Sequence, residues 1–188
     1  MAVGVISIQG DFEKHLAAVR AVPGFTGEAR EVRTPEDLAG CTHLILPGGE
    51  STTVGLLMER FGLGDAIRTA AATGVPVWGT CMGMILMARE VAGRQQYSLN
   101  LLDIVVQRNA FGAQVHSFED EVKVEGLEEA VTGVFIRAPI VVSQGPDVQT
   151  LARYDGKVVA VRQGNRIGTS FHPELTSDTR LHAWFLGL

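Results

Sequence analysis

In the first half of the chain, continuous apolar runs alternate with segments in which apolar residues have helical spacing. Continuous apolar runs at residues 3–9 and 43–46 have the length of buried strands. Between them, Phe12, Leu16 and Val19 recur at the spacing of one helical face. The order of such segments predicts β-α-β-α-β-α-β-α, and therefore a mostly parallel sheet that helices cover on both faces.

The pattern changes in the second half, where short β-rich runs are separated by Gly and Asp turns. The predicted strands lie at 122–124, 131–136, 148–154, 158–162 and 167–171. We expect them to meander back onto the sheet. A last amphipathic helix is predicted to start at Thr176 or Ser177 and to run to the C-terminus.

Size and charge restrict the kinds of partner. The chain has 188 residues, of which 46% are hydrophobic, and this predicts a single domain over residues 1–188. A formal net charge of -5, without a basic run, argues against nucleic acid or a membrane surface as partner. We therefore expect small molecules or another protein.

Cysteine usage and the N-terminus indicate the compartment. Cys41 and Cys81 are the two cysteines, too few for a disulfide framework and without the spacing of a zinc site. Residues 1–8 lack a basic leader and a long apolar segment, and are interpreted as a first strand. The sequence predicts a cytoplasmic protein.

One segment has the form of a nucleophile elbow. Gly79-Thr80-Cys81-Met82-Gly83 follows the apolar run 75–78 and precedes a helical run at 84–88. At such a turn, helix N–H groups and the dipole favour a thiolate and a developing oxyanion. The alternative is a buried thiol that acts as a small hydrophobe, but such a thiol needs no glycine on either side.

A candidate base lies at the end of another apolar run, in Phe171-His172-Pro173-Glu174. Proline holds His172 in an extended backbone, and Glu174 is placed to turn back and orient the ring. The alternative is a turn with a solvated His and Glu. The other four histidines are weaker candidates: His15 and His182 are predicted to be partly exposed on helices, His43 to start a strand, and His116 is unassigned.

A glycine pair follows the strand at 43–46, in Pro47-Gly48-Gly49-Glu50-Ser51. Adjacent glycines let a backbone approach a ligand and aim an N–H at an oxyanion, although an ordinary tight turn has the same composition. This strand and the nucleophile strand are expected to be neighbours. The glycine pair, Cys81 and His172 all follow predicted strands, so they can converge at one sheet edge.

These motifs together resemble the class I, triad-type glutamine amidotransferases, and more closely the glutaminase subunits of pyridoxal 5'-phosphate synthase. The resemblance covers nearly the whole chain. It is carried by Gln9-Gly10, 48–53, Arg108-Asn109 with Phe111-Gly112, Phe135-Ile136-Arg137-Ala138-Pro139 and 170–176.

The resemblance implies a flavodoxin-like three-layer fold and a set of roles. Cys81 would be the nucleophile, His172 the general base and acid, and Glu174 its orienter. The residues that it implies for glutamine binding are Gly49, Glu50, Ser51, Arg108, Ile136 and Arg137. The backbone N–H groups of Gly49 and Met82 would form the oxyanion hole.

Three residues depart from the family pattern. Met82 stands where the family usually has Ala, and Ala113 and His116 stand where Arg and Asp are expected. Met82 still offers its backbone N–H to an oxyanion, while its bulk can alter the pocket.

The implied activity is hydrolysis of L-glutamine to L-glutamate and ammonia, without a metal or an organic cofactor. The ammonia would pass to a synthase subunit in a large hetero-oligomer that makes pyridoxal 5'-phosphate. Two alternatives are a cysteine hydrolase of the same fold that acts on another substrate, and a regulatory subunit without turnover.

Overall fold

A computed structural model describes residues 1–111 and 117–188. The strands are β1 (Ala2–Ile6), β2 (Glu28–Val32), β3 (His43–Leu46), β4 (Val77–Thr80), β5 (Ala88–Val91), β6 (Leu102–Gln107), β7 (Phe118–Val122), β8 (Val131–Phe135), β9 (Ile140–Gln144), β10 (Gln149–Tyr154), β11 (Lys157–Gln163) and β12 (Arg166–Thr169). The helices are α1 (Phe12–Ala21), α2 (Ser51–Arg60), α3 (Leu63–Ala72), α4 (Met82–Met87) and α5 (Arg180–Leu186), with 3-10 turns at Pro35–Leu38 and Pro173–Leu175.

The main sheet has the strand order β2-β1-β3-β4-β12-β11-β9-β6-β5, and β10 pairs with β11. The neighbouring pairs from β2 to β12 are all parallel, so the carboxyl ends of β1, β3, β4 and β12 meet at one edge. Strands β9 to β12 return as antiparallel neighbours, and β7 and β8 form a separate hairpin. The expected adjacency of β3 and β4 is confirmed.

Two apolar cores lie on opposite faces of the sheet. One contains buried residues of α2, α3 and α4, including Met58, Ile67 and Leu86. The other contains buried residues of α1 and α5, including Leu16 and Phe185. The predicted three-layer α/β architecture is therefore confirmed.

Helices α4 and α5 have other bounds than predicted, since α4 begins two residues earlier and ends one residue earlier than expected, and α5 begins later. The helical run expected at 84–88 ends at Met87, because the backbone N–H groups of Leu99 and Leu101 bond to the carbonyls of Leu86 and Met87. Ala88 then starts β5. Helix α5 begins at Arg180 rather than at Thr176 or Ser177, because residues 173–179 form successive turns in which the Asp178 carboxylate accepts from the Arg180 N–H.

The strand expected at 122–124 is also displaced. Strand β7 ends at Val122, where it pairs with Val131 of β8, and most of it precedes the predicted run. Its charged residues Glu119, Asp120 and Glu121 concealed it from a pattern based on apolar runs. Gly112, Ala113 and His116, including two of the family departures, lie outside the described residues.

In the described part of the chain, the helices are too short or too polar to cross a bilayer.

Candidate active site

The carboxyl edge of the parallel strands assembles the site. Cys81 directly follows β4, the Gly48-Gly49 pair follows β3, and His172 lies shortly after β12. The register is fixed by pairing, since Thr80 lies opposite Thr169 and the Cys81 N–H donates to the Thr169 carbonyl at 2.7 Å. The predicted convergence at one edge is present.

The turn at Cys81 is strained. Its φ of 49° and ψ of -102° lie where residues with a side chain are uncommon. The turn is also crowded, because a Cβ on Gly79 would collide with the backbone of Gly83, and a Cβ on Gly83 would collide with the Leu46 carbonyl. Small residues on both sides are therefore required for β4 to turn directly into α4.

His172 is coupled to both Glu174 and Cys81. His172 Nδ1 lies 2.7 Å from Glu174 Oε1, and the Cys81 thiol is near enough to raise the pKa of His172. Because Nδ1 is engaged by the carboxylate, Nε2 is the nitrogen left for proton transfer. The three side chains are buried, with 8% exposure at Cys81 and 4% at both His172 and Glu174.

Neighbouring groups shift the pKa values of His172 and Glu174. Burial lowers the pKa of His172, but hydrogen bonds with Cys81 and Glu174 outweigh burial and raise it to about 10. Burial raises the pKa of Glu174, whereas His15 and the His172 hydrogen bond act more strongly and hold it below its usual value. These shifts favour a protonated imidazole beside the ionised Glu174 carboxylate.

Two histidines predicted to be partly exposed are fully buried behind Glu174. His15 and His182 each have 0% exposure, so that prediction is wrong. His15 lies between Phe12 and Val19 on the apolar stripe of α1, and His182 precedes Phe185 and Leu186 by one helical turn. The helical spacing was the signal that could have placed both in the core.

The glycine pair lies against the triad and the loop after β1. A Cβ on Gly48 would collide with the His172 ring, and Gly10, at φ 98°, packs so closely on Gly48 that a side chain there would collide with the Gly48 carbonyl. Gly49 lies beside the end of the Met82 side chain, since a Cβ there would be 3.2 Å from Met82 Cε. The two predicted oxyanion residues, Gly49 and Met82, are therefore neighbours.

A second polar group lies at the start of α2. Glu50 caps this helix by accepting from the Thr52 N–H at 3.1 Å and the Thr53 N–H at 2.7 Å. These backbone bonds, that from Thr53 first, lower the pKa of Glu50 to about 2. Arg108 Nη2 lies 3.9 Å from Glu50 Oε1, and Arg108 Nη1 is buried without a hydrogen-bond partner among the described residues.

Ser51 is buried beside a residue that the sequence did not single out. Its hydroxyl donates to Gln96 Oε1 at 3.3 Å, and Gln96 Nε2 is buried without a hydrogen-bond partner among residues 1–111 and 117–188. Gln96 lies in the irregular segment before β6, where neither a strand nor a helix pattern marks a functional position.

The segment after β8 reaches the thiol from the other side. The Ile136 carbonyl accepts a weak contact from Cys81 Sγ at 3.9 Å. Arg137 follows with φ 46° and an exposed side chain. Arg137, the second strained residue, thus places a cation next to the Ile136 carbonyl, which contacts the Cys81 sulfur.

Potential metal ligands in the described part of the chain coincide with the triad. Asp11, His172 and Glu174 each offer an atom, and these atoms lie within 4.8 Å of one another. Asp11 Oδ2 is 4.0 Å from His172 Nδ1, which is already bonded to Glu174. A metal here would compete with the hydrogen bond that orients the imidazole.

Similarity to known proteins agrees with this geometry. A family model for the SNO glutamine amidotransferase family matches residues 5–187. The chain belongs to this family. The family match thus includes all the strands and helices around the site except the first residues of β1.

Relatives within the family are similar along their whole length. The pyridoxal 5'-phosphate synthase subunit PdxT of Niallia circulans is 46% identical over 188 residues, covering 100% of this chain and 97% of the relative. PdxT of Streptomyces coelicolor is 50% identical over 186 residues, covering 97% and 91%. A crystal structure of a glutamine amidotransferase has a TM-score of 0.92 at 48% identity, covering 98% of this chain and 97% of that chain.

Proposed function

We propose that this chain is a glutaminase that hydrolyses L-glutamine to L-glutamate and ammonia, and that it supplies the ammonia to a pyridoxal 5'-phosphate synthase subunit. The observation that carries the proposal is the hydrogen bond between His172 and Glu174 beside Cys81 at a strained elbow, in a member of a glutamine amidotransferase family. A single domain over residues 1–188 is part of the proposal, supported by a main sheet with strands from both halves of the chain.

In the first half-reaction the sulfur of Cys81 attacks the side-chain amide carbon of glutamine. The carbonyl oxygen gains negative charge, and the N–H groups of Gly49 and Met82 are the proposed donors to it. The Met82 N–H belongs to the first turn of α4, where a helix leaves its N–H groups without internal partners. The His172 imidazolium then protonates the leaving nitrogen, and ammonia departs from a glutamyl thioester.

In the second half-reaction His172, now neutral, takes a proton from water. The resulting hydroxide attacks the thioester carbon, and the C–S bond breaks to release glutamate and restore the thiolate–imidazolium pair. Glu174 holds the His172 ring by its Nδ1 hydrogen throughout and stabilises the imidazolium. Each step uses groups of this chain, glutamine and water.

Substrate recognition requires partners for the two charged groups of free glutamine. Arg108 and Arg137 are the proposed partners of the α-carboxylate, and Glu50 is the proposed partner of the α-amino group. The low pKa of Glu50 keeps it anionic at neutral pH, and Nη1 of Arg108, which has no hydrogen-bond partner among residues 1–111 and 117–188, is available to an anion. Ser51 and Ile136 complete the proposed binding residues.

The synthase partner is proposed from the relatives, which are named as subunits of pyridoxal 5'-phosphate synthase. A cytoplasmic location is proposed because both Cys41 and Cys81 are free thiols, as expected in a reducing compartment.

The decisive experiment measures glutamate and ammonia released from glutamine by the purified chain, alone and with the synthase subunit. Release that depends on Cys81 supports the proposal. Turnover of another amide or ester, but not of glutamine, would establish the alternative hydrolase. Stimulation of the synthase without glutamine turnover would establish a regulatory subunit.

A further inference from the structure

A buried pair of histidines lies on the far side of Glu174 from His172. His15 Nε2 is 3.2 Å from Glu174 Oε2 and 3.0 Å from the hydroxyl of Thr80. His15 Nδ1 is 3.1 Å from His182 Nε2. The same ring therefore contacts the carboxylate that orients His172 and the residue that immediately precedes Cys81.

The hydrogen-bond partners decide which nitrogens carry hydrogens. Glu174 Oε2 is buried and accepts no regular hydrogen bond from the described residues. If His15 Nε2 lacked a hydrogen, its lone pair would face this oxygen and repel it, so Nε2 is the protonated nitrogen. The Nε2–H hydrogen bond goes to the Thr80 hydroxyl, and Glu174 Oε2 lies 3.2 Å from the same nitrogen as an electrostatic contact. His15 Nδ1 then accepts from His182 Nε2–H, and His182 Nδ1 is left without a hydrogen. This agrees with the absence of a partner for that atom within residues 1–111 and 117–188.

Both rings are neutral in this arrangement. Burial lowers the pKa of His15, an effect that Glu174 and Asp11 oppose and His172 reinforces. Burial and His15 lower the pKa of His182 to about 3, against the opposing charges of Glu174 and Asp178. A neutral His15 with Nε2–H places the partial positive charge of that N–H 3.2 Å from the anion without being a second full charge beside it.

We propose that His15 is a positioning residue of the triad, whose Nε2–H, held in place by His182, fixes the Glu174 carboxylate relative to the strand that carries Cys81. This inference rests on the proposed glutaminase function for its kinetic consequence. His15 touches neither the nucleophile nor the proposed substrate site, so it acts through Glu174 and Thr80.

The ring packing explains why the donor is held rigidly. Trp78 of β4 meets His15 edge-on, with ring centroids 5.8 Å apart, and meets His182 at 5.0 Å. The indole N–H of Trp78 is itself bonded to the Thr169 hydroxyl at 3.1 Å. Helices α1 and α5 are thereby joined to β4 and β12 directly beneath the elbow.

The test compares His15→Leu, which removes the donor, with His15→Gln, whose amide N–H extends towards the position of Nε2. His15→Leu is expected to lower kcat for glutamine about tenfold to a hundredfold, with KM within about twofold, because a buried carboxylate loses the polar N–H group beside it. His15→Gln is expected to restore most of kcat. His43→Leu is the matched control, since His43 is buried in β3, where its ring hydrogen-bonds the Thr42 hydroxyl and packs on Phe185.

A second readout does not depend on glutamine turnover. The titration midpoint of His172, followed by NMR, is expected to fall in His15→Leu, because a less firmly held carboxylate supports the imidazolium less well. It is expected to stay near the wild-type value in His15→Gln and His43→Leu. If the wild-type chain did not hydrolyse glutamine, the proposed function would fail while this titration would still decide the role of His15.

An unchanged His172 midpoint and unchanged kcat in His15→Leu would overturn the proposal. Equal losses in His15→Leu, His15→Gln and His43→Leu would also overturn it, since they would indicate a packing role alone. If His15→Leu does not fold, His182→Phe removes the donor that holds His15 Nδ1. It should then lower both kcat and the His172 midpoint, and no change in either would refute the positioning role.

Discussion

Cys81 depends on three neighbours that are distant in the sequence. His172 is electrostatically coupled to the thiol, the Ile136 carbonyl lies 3.9 Å from the sulfur, and the Thr169 carbonyl accepts a hydrogen bond from the backbone N–H. A single side chain is thus held by β4, by the segment after β8 and by β12 with the turn that follows it. The order of the strands in the sheet brings these groups together around Cys81.

Cys81→Ala is expected to abolish glutamine hydrolysis, because it removes the atom that forms the thioester. Partner binding and fold should be largely retained, since a small side chain replaces another at the sheet edge. Glutamate release and far-UV circular dichroism check both points. Supplied ammonium should restore pyridoxal 5'-phosphate formation by the complex, and near wild-type turnover of the variant would exclude Cys81 as nucleophile.

Arg108 and Arg137 differ in the environment that each offers to a bound anion. Arg108 is half-buried beside Glu50, with one nitrogen that no described residue hydrogen-bonds, whereas Arg137 is exposed. Arg108→Gln is therefore expected to raise KM for glutamine about tenfold to a hundredfold, the usual cost of a lost charge-assisted bond, and Arg137→Gln to raise it less. Steady-state kinetics check this, with exposed Arg153→Gln as control, and unchanged KM in both variants would remove these contacts from the proposal.

At the scale of elements, helix α2 connects stability to the candidate site. Its first-turn N–H groups are capped by Glu50, and the pKa of that carboxyl is lowered to about 2 by the same bonds. A carboxyl with a depressed pKa in the folded state stabilises the fold above its unfolded pKa, and this contribution is lost as pH falls through the folded value.

Glu50→Gln is therefore expected to reduce the free energy of unfolding at pH 7 by about 1 kcal/mol, the typical value of a helix cap. Between the ordinary glutamate pKa of 4.5 and the folded pKa of about 2, wild-type stability should decline more steeply than that of the variant. Urea denaturation across this range measures both. Exposed Glu128→Gln is the control, and parallel curves for wild type and Glu50→Gln would contradict the capping argument.

Elements with strong periodicity were predictable, and elements defined by tertiary contacts were not. Strand β3, helix α3 and the elbow at Cys81 follow from apolar runs and glycine spacing. The end of α4 at Met87 depends on bonds from Leu99 and Leu101, which no local pattern contains. The burial of His15 and His182 depends on α1 and α5 packing side by side on Trp78, and a polar residue type concealed it.

For the whole molecule, the candidate site is nearly closed. The proposed nucleophile Cys81 and the proposed base His172 have 8% and 4% exposure, and the loop containing Gln9 and Gly10 packs on the glycine pair beside them. Movement of this loop would reach Gly48 directly, because Gly10 contacts its carbonyl. A partner that contacts Gln9 and Gly10 is thus placed to rearrange the proposed oxyanion hole.

The isolated chain is accordingly expected to be a poor glutaminase that the synthase subunit activates. Glutamate release measured with and without that subunit, alongside sedimentation of the mixture, tests the expectation. A variant Gln9→Ala should weaken activation more than it weakens the low basal rate. High turnover without the partner, together with no complex in sedimentation, would refute partner dependence.

The backbone of Cys81 has an evolutionary consequence. A φ of 49° costs a residue with a side chain roughly 1–3 kcal/mol, a sizeable part of the roughly 5–15 kcal/mol that keeps a domain folded. Glycine bears no such cost, so Cys81→Gly should melt at a higher temperature than wild type in calorimetry. Folding stability by itself would therefore favour loss of the nucleophile during sequence drift, and selection for turnover is the force that retains it.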